Sequence, residues 1–143
     1  MTQVTLRVDS AKVTARMNDI VKNMPKKLDK AVNMTAQQGI NIIQDRTSKG
    51  RGVNTRFAPY TPAYAKFRQM KGRKVSPVDL NFSGRMLSSM TTNRVGVGYY
   101  KILFGRAVEA AKAAGNQQKR RFFGFNSKER KLLGRFFNKA LVL

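Results

Sequence analysis

Residues 116–130, N-Q-Q-K-R-R-F-F-G-F-N-S-K-E-R, contain three consecutive cations followed by three phenylalanines around one glycine. The cations are Lys119, Arg120 and Arg121, and the aromatic residues are Phe122, Phe123 and Phe125. Full burial would stabilise each phenylalanine by about 1.5–3 kcal/mol, whereas the cations belong in water or against an acidic partner. We therefore predict that the phenylalanines are a structural anchor in the core and that the cations face outward.

A helix start follows this stretch directly. Asn126 can cap a helix with its side-chain oxygen, and Glu129 lies three positions later, where the acidic member of a capping box is found. Apolar residues then recur at helical spacing on one face: Leu132, Leu133, Phe136, Phe137, Ala140 and Leu141. The anchor is thus expected to hold a C-terminal helix on the body of the protein.

The charge balance is the second constraint. The chain has 143 residues, the size of one domain, and carries 29 Lys and Arg against 7 Asp and Glu, a net charge of +22. Such charge destabilises a compact monomer by self-repulsion, which counter-ions or an anionic partner must relieve. Nucleic acid, an anionic membrane face and an acidic protein are the candidate partners, and a solvated basic surface with no specific partner is the alternative.

The residue types present argue against an enzyme. The absence of Cys and His removes disulfides, the usual zinc sites and the commonest general base near neutral pH. The acidic residues are scattered singly, which indicates neither a carboxylate pair nor an oxygen-ligand metal loop. No apolar run approaches the length of a membrane span, and the first residues lack a signal-peptide core. We expect a non-enzymatic, soluble protein without cofactor or metal, made in the cytoplasm.

The N-terminal third alternates and then becomes helical. Thr2–Val8 predicts a half-buried strand, and Asp9 or Ser10 offers a helix cap. Pro25 suits the first turn of a second helical segment, which ends near Arg46 and forms either a separate helix or part of one kinked rod. The apolar residues at helical spacing are expected to face the core: Val13, Met17, Ile20, Val21, Met24, Leu28, Ala31, Val32, Thr35, Ala36, Gly39, Ile40 and Ile43.

Residues 47–56, T-S-K-G-R-G-V-N-T-R, are basic, contain two glycines and show no periodicity. Long loops inside a domain are usually functional or mobile. We predict a mobile basic loop that carries Arg51 and Arg56, either as an arm that a partner orders or as a merely solvated connection.

The middle of the chain predicts short elements. Phe57–Pro62 should be extended because residues before proline are pushed out of the helical region, and Thr61 can cap a short helix that runs to Met70. A basic turn follows at 71–74, then helical turns at 83–90. Between them, alternation predicts a short strand: Val78, Leu80 and Phe82.

Thr91–Phe104 predicts a β-hairpin that turns near its two central glycines. Residues 105–114 favour a helix, which Gly115 is expected to end. This order of elements predicts an α+β fold, a single domain over residues 1–143 with a small antiparallel sheet.

Arg121–Phe125 shares some features with RNA-binding sheets, in which glycine-spaced aromatic residues stack on bases. The likeness is partial, because Phe122 stands where glycine is expected and a helix cap follows. The glycines near 50 and near 97 also lack the order of phosphate-binding fingerprints. Contact between the cations and a phosphate backbone, which needs no base readout, is the favoured form of nucleic-acid binding.

Three segments, in their order, resemble a known family. They are the aromatic-proline segment Phe57–Pro62 with Tyr64 and Lys66, the stretch V-D-L-N-F-S-G-R-M-L-S-S-M at 78–90 before a glycine-containing strand pair, and Arg121–Phe125 before a terminal helix. Residues 57–143 are thereby similar to the tailed-phage virion-morphogenesis and tail-completion proteins, small neck proteins that join head to tail. The chain departs from that pattern in its high basic charge and in lacking a tryptophan near the aromatic-proline segment.

The resemblance implies an α+β subunit with a curved sheet against helices and no catalytic residues. It implies assembly into a homo-oligomeric ring, expected to be hexameric, located in the virion beside connector and tail proteins. Non-specific contact with DNA is a further expectation, and contact with membranes is not expected. The cations expected to face these partners are Arg51, Arg56, Arg73, Lys74, Lys119, Arg120 and Arg121. The alternative function, from charge alone, is a basic nucleic-acid-binding domain of ribosomal or nucleoid type.

Overall fold

The longest element of the computed structural model is a single helix, α1 (Ser10–Ser48), which begins at the predicted cap. The Asp9 side chain accepts a hydrogen bond from the Lys12 backbone N–H at 3.1 Å, which satisfies one free donor of the first turn. Pro25 lies inside the helix. The two predicted helical segments are therefore one continuous helix.

The structure describes Arg7 and residues 9–142, so the strand predicted at Thr2–Val8 lies, apart from Arg7, outside the described residues. The elements that follow α1 are α2 (Pro62–Met70), α3 (Arg85–Ser88), β1 (Met90–Gly96), β2 (Tyr99–Phe104), α4 (Ala107–Lys119) and α5 (Ser127–Val142). They form one mixed α+β unit, which confirms the predicted fold class.

β1 and β2 form a two-stranded antiparallel sheet, as the alternating segment predicted. The register runs from Met90 opposite Phe104 to Gly96 opposite Tyr99, with an irregularity just before Gly96. Gly98 occupies the turn at φ 66°, a left-handed conformation that glycine adopts readily. The hairpin lies along α1, which supplies the second layer of the fold.

The strand predicted at 78–82 is wrong. These residues form bends and pair with no other strand among the described residues. Val78 and Leu80 are buried, but the chain turns between them: Leu80 has φ 54°, and the Asp79 carboxylate accepts a hydrogen bond from the Asn81 N–H. The alternating burial of Val78 and Leu80 therefore results from a turn. Two residues separated by one position can both point into the core without the pleated backbone of a strand.

The helix end predicted at Gly115 is also wrong, since α4 continues to Lys119. The Asn116 amide donates to the Lys112 carbonyl at 2.9 Å, one turn earlier. Near the end of the helix, the side-chain oxygen of Gln117 accepts hydrogen bonds from the N–H groups of Phe122 and Phe123, which follow the helix. The side chain of Gln117, rather than a glycine, therefore shapes the end of α4.

The core draws its buried residues from α1, α3, β1 and α4 and from connecting segments. Its buried members are Ile40, Ile43, Val78, Leu80, Met86, Met90, Ala113 and Phe122. Phe122 is fully buried, with its ring 6.2 Å from that of Phe104, whereas Phe123 and Phe125 are half-buried against the same cluster. Gly39 permits this packing on α1, because a Cβ there would lie 2.8 Å from the ring of Phe125.

The N-terminal half of α1 does not face the core, contrary to the prediction from its spacing. All residues from 10 to 22 are exposed. The apolar residues retain 41% to 71% of their surface: Val13, Met17, Ile20, Val21 and Met24. The hairpin first meets α1 near Leu28, which lies beside Gly98 at the turn. The helix therefore projects beyond the elements that cover its second half.

We expect Phe122→Ala to lower the free energy of unfolding by about 3–5 kcal/mol, because it leaves a cavity at a fully buried ring. Urea unfolding followed by circular dichroism measures this loss. Val108→Ala is the control, since Val108 is 63% exposed and its truncation should change stability by less than about 0.5 kcal/mol. Equal losses for the two variants would contradict the central position of Phe122.

Candidate partner-binding surfaces

A buried arginine near the end of α1 holds the C-terminal part of the chain. The Arg46 side chain is 10% exposed and forms an ion pair with Glu129 of α5. Its guanidinium also donates to the backbone carbonyls of Phe122 and Gly124, the latter at 2.6 Å. A guanidinium can serve three acceptors because it carries five N–H groups in a planar fork. Arg46 therefore ties the anchor segment and α5 to α1.

Glu129 also completes the predicted capping box at the start of α5. Its N–H donates to Asn126 Oδ1 at 2.9 Å, and its carboxylate accepts from the Asn126 N–H at 3.0 Å. The Asn126 side-chain amide donates to the Val53 carbonyl at 3.0 Å. The box thus joins α5 to the loop at 47–56 as well as to α1.

Thr47 and Ser48 are the last residues of α1, so the non-helical part of the predicted loop at 47–56 begins at Lys49. This part packs against the basic stretch that precedes the anchor. The N–H of Val53, a residue only 2% exposed, donates to the Arg121 carbonyl at 2.9 Å. Arg51 and Arg56 face each other in an isolated antiparallel bridge. Three predicted partner-facing cations are therefore close together, and their side chains are exposed. The mobility of this loop stays a prediction, but its backbone is hydrogen-bonded to the body of the protein.

Lys119 and Arg120 differ in their surroundings. Lys119 is exposed at the end of α4, whereas the guanidinium of Arg120 donates to the carbonyls of Ala58 and Pro59 at 3.1 and 3.0 Å. Arg120 also lies 5.1 Å above the ring of Tyr60. Arg120 thus fixes the aromatic-proline segment and has fewer donors left for another molecule.

A second buried arginine organises the middle of the chain. Arg68 is 2% exposed and donates to the carbonyls of Lys74 and Asn81 at 2.7 and 2.9 Å. It lies 3.5 Å from the Asp79 carboxylate and 4.7 Å above the Tyr60 ring. The bends at 78–82 and the turn after α2 are therefore both held by one side chain of α2.

Arg73 and Lys74, the remaining predicted cations, follow α2 and are exposed. The Arg73 guanidinium lies 5.4 Å from the centre of the Phe82 ring. Their contacts are thus with α2 and its aromatic neighbours. The structure divides the predicted cations into three sets: this pair after α2, Lys119 and Arg120 at the end of α4, and Arg51, Arg56 and Arg121 around the loop at 47–56.

A cleft of 830 Å³ lies between α2 and α4. Tyr60, Tyr64 and Phe82 line it, with Lys112 and the buried Glu109 on the α4 side. One Glu109 oxygen accepts from Lys112 Nζ at 3.3 Å, while the other oxygen and the Tyr60 hydroxyl are buried without a partner among the described residues. Burial raises the pKa of Tyr60. Both unpaired oxygens lie beneath the cleft surface.

Asp29 connects α1 to the hairpin turn. Its carboxylate accepts hydrogen bonds from the Gly98 N–H, the Tyr100 hydroxyl and Arg94 Nε, each at 3.0–3.1 Å. The pKa of Asp29 is lowered, chiefly by the Gly98 hydrogen bond and further by Tyr100 and Arg94, although burial opposes the shift. The pKa of Tyr100 is raised by burial and by its hydrogen bond to Asp29.

The projecting half of α1 presents a narrow apolar line, here called the α1 seam: Val13, Met17, Ile20 and Met24. The steps between these residues are four, three and four, the spacing of a and d positions in paired helices. At about 100° per residue, Arg16 and Lys27 lie along one side of the seam, and the other exposed cations of this half, Lys12, Lys22 and Lys26, lie farther round the helix. Of these five, only Lys12 forms an ion pair among the described residues, with Asp9 at 3.9 Å.

Most of the positive charge has no acidic partner within the described residues. Six ion pairs are present, and each uses a different cation. The same part of the chain contains no group of three or more His, Cys, Asp or Glu side chains that could hold a metal ion. No helix in this part is both long and apolar enough to cross a bilayer.

Sequence reasoning missed the buried charged residues. Arg46 follows Gly39 and Ile43 at helical spacing, so a charged residue on an otherwise apolar face was the available signal. Arg68 lies four residues after Tyr64 and had the same weak signal. Asp29 had none, because its partners Arg94, Gly98 and Tyr100 lie far away in the chain. Glu109 had none either, because its burial depends on a cleft that only folding creates.

Comparison of the chain with protein-family models, curated proteins and solved structures gave no match.

We expect Arg46→Met to lower the free energy of unfolding by about 3–5 kcal/mol, because it strands the Glu129 carboxylate and two carbonyls in a buried environment. Lys49→Met is the matched control: Lys49 pairs with Asp45 on the same helix, but both side chains are more than 60% exposed. The control should lose less than about 1 kcal/mol. Similar losses in urea unfolding would show that Arg46 acts as an ordinary surface charge.

The lowered pKa of Asp29 predicts a stabilisation that is present above the ordinary carboxyl pKa of 3.8 and is lost as the pH falls through the folded-state pKa. Asp29→Asn should therefore lower the melting temperature and speed amide exchange at Gly98 at pH 7. The difference between the two proteins should shrink as the pH falls below 3.8. Asp19→Asn, which removes an exposed carboxylate bonded to Asn23, is the control. A difference that persists unchanged at pH 2 would refute the electrostatic explanation.

Proposed function

We propose that this protein is a structural subunit of a tailed-phage virion and forms part of the neck, as a tail-completion or tail-terminator-like ring. The observation that carries the proposal is the projecting half of α1. Contiguous exposed apolar surface on a soluble domain usually marks an interaction site. Because residues 10–22 are exposed all round, this part of the helix is available to contact a neighbouring molecule.

The segments that carry the family resemblance contact one another, which also supports the proposal. Arg120, beside the anchor, donates to the carbonyls of Ala58 and Pro59 in the aromatic-proline segment. Arg68 joins that segment to the stretch at 78–90 through Tyr60 and the Asn81 carbonyl. The resemblance thus rests on residues that form one structural unit rather than on unconnected pieces of sequence.

The unpaired cations suit a ring through which DNA passes. A subunit of charge +22 assembles with its own kind only if counter-ions, DNA or acidic neighbours reduce the repulsion. The exposed group formed by Arg51, Arg56 and Arg121 is the strongest candidate for contact with a phosphate backbone. Such contact positions DNA without reading its sequence.

The same group of cations favours a second candidate function, a basic nucleic-acid-binding domain. Under that function the isolated protein would bind duplex or single-stranded nucleic acid, and its affinity would fall steeply with salt. Stoichiometric ring formation and a place at the head–tail junction distinguish the neck subunit from this alternative.

The test is negative-stain microscopy of particles made when the phage or prophage lacks this gene. We expect DNA-filled heads separate from tails, or tails of aberrant length, because the junction is incomplete. Supplying the wild-type gene in trans should restore joined particles, and the Val108→Ala variant should do the same. Tail length tells a tail-capping role from a connector role.

Normal, infectious particles in the absence of the gene would overturn the neck proposal. The nucleic-acid function would then be tested by filter binding of duplex DNA at several salt concentrations. A steep loss of binding with salt, reduced by joint substitution of Arg51 and Arg56 with Gln, would support that function.

A further inference from the structure

We propose that the α1 seam docks an acidic amphipathic helix of a different protein, rather than a second copy of this chain. The inference rests on the proposed assembly role only in treating α1 as a docking element. It goes further by naming the chemistry of the occupant.

The spacing of the seam favours a helical occupant. Val13, Met17, Ile20 and Met24 follow the four-three-four pattern of a and d positions, and a line this narrow is the contact face of paired helices. Exposures of 46%, 60%, 47% and 41% show that the other described residues leave a large part of each side chain uncovered. From Val13 to Met24 the seam is about 17 Å long, or roughly three helical turns.

The seam also continues the packed face of the same helix. Its next members in the sequence, Leu28 and Ala31, are half-buried and fully buried against the rest of the protein. Farther along, α1 borders a 220 Å³ groove whose lining is almost entirely apolar: Val32, Thr35, Ala36, Gly39, Ile102, Phe125, Leu133 and Phe137. The docking surface is therefore an extension of an existing helix-packing face.

Charge decides between the possible occupants. The projecting half carries five cations, of which Arg16 and Lys27 lie beside the seam, and Asp19 is the single carboxylate within the helix from Ser10 to Lys27. A second copy would bring the same cations against these, on a chain that already carries +22. A helix with carboxylates beside its apolar line would instead pair with Arg16 and Lys27, which adjoin the seam at helical spacing.

An anionic membrane surface fits less well. Interfacial basic helices usually insert large aromatic or leucine side chains, whereas the seam contains only valine, methionine and isoleucine. Methionine adapts its shape to a protein groove, which suits a helical partner. A seam of three turns would bind a lone helix weakly, so the repeated subunits of an assembly would provide the avidity.

The test uses two designed helical peptides with leucine at a and d positions, one with glutamate and one with lysine at the flanking positions. Each is labelled with a fluorophore and titrated with the full-length protein by fluorescence anisotropy. We expect the acidic peptide to bind, with affinity falling as sodium chloride is raised, and the basic peptide to bind at least about tenfold more weakly.

Variants then locate the binding. Met17→Glu with Ile20→Glu should weaken the acidic peptide at least about tenfold, since both side chains lie in the centre of the seam. Arg16→Glu with Lys27→Glu should weaken it and reduce the salt dependence. Val108→Glu, an equally exposed apolar position on α4, should leave binding unchanged. Because all five substituted side chains are exposed, circular dichroism should show folded protein in every case.

Three results would overturn the inference. One is equal weakening by the seam variant and by Val108→Glu. Another is concentration-dependent self-association in sedimentation velocity that strengthens with salt and disappears in the seam variant, which would make a second copy the occupant. The third is seam-dependent binding to phosphatidylglycerol vesicles without binding of the acidic peptide.

The outcome is separable from that of the neck proposal. Unjoined particles on gene deletion together with a failed peptide titration would remove only the acidic-helix partner. Normal particles together with seam-dependent binding of the acidic peptide would refute the neck proposal but would still support an acidic helix as the partner of the α1 seam.

Discussion

The fold depends most on the contacts of Arg46. Its guanidinium lies where the end of α1, the anchor segment and the start of α5 meet, and it satisfies acceptors from the last two. A buried charge is destabilising unless it is paired and hydrogen-bonded, so these elements must be correctly placed together. The fully buried Phe122 sits beside this network, and its own carbonyl is one of the acceptors. Apolar packing and charge satisfaction thus impose the same geometry.

Arg68 plays a comparable part in the other half of the molecule. Its guanidinium donates hydrogen bonds to a carbonyl in the turn after α2 and to a carbonyl in the bends at 78–82. The same group lies over the ring of Tyr60. The two arginines together show how a strongly basic chain builds a core of modest size: some cations are used internally as hydrogen-bond centres. The other cations remain on the surface, and several of them lie on the exposed half of α1. Among the described residues, the second half of α1 is therefore packed against the other elements, whereas residues 10–22 are exposed.

Local sequence predicted the elements whose causes are local. The Asp9 cap, the Asn126–Glu129 capping box and the hairpin turn at Gly98 each depend on residues within a few positions. The prediction failed at Val78–Phe82, where Arg68 of α2 holds the chain, and at Gly115, where side chains beyond the glycine shape the end of α4. It also failed for Val13–Met24, because helical spacing reports an apolar face but not whether another part of the chain covers it.

The sequence by itself determined the mixed α+β class, the positions of the long and terminal helices, and the excess of positive charge, since these follow from periodicity, capping residues and composition. Tertiary structure alone decided which charges are buried and that Val53 of the loop at 47–56 is hydrogen-bonded to Arg121. It also decided that residues 10–22 of α1 are exposed among the described residues. The physical reason is distance along the chain: Arg46 and Glu129, or Asp29 and Gly98, become neighbours only when the elements between them have packed.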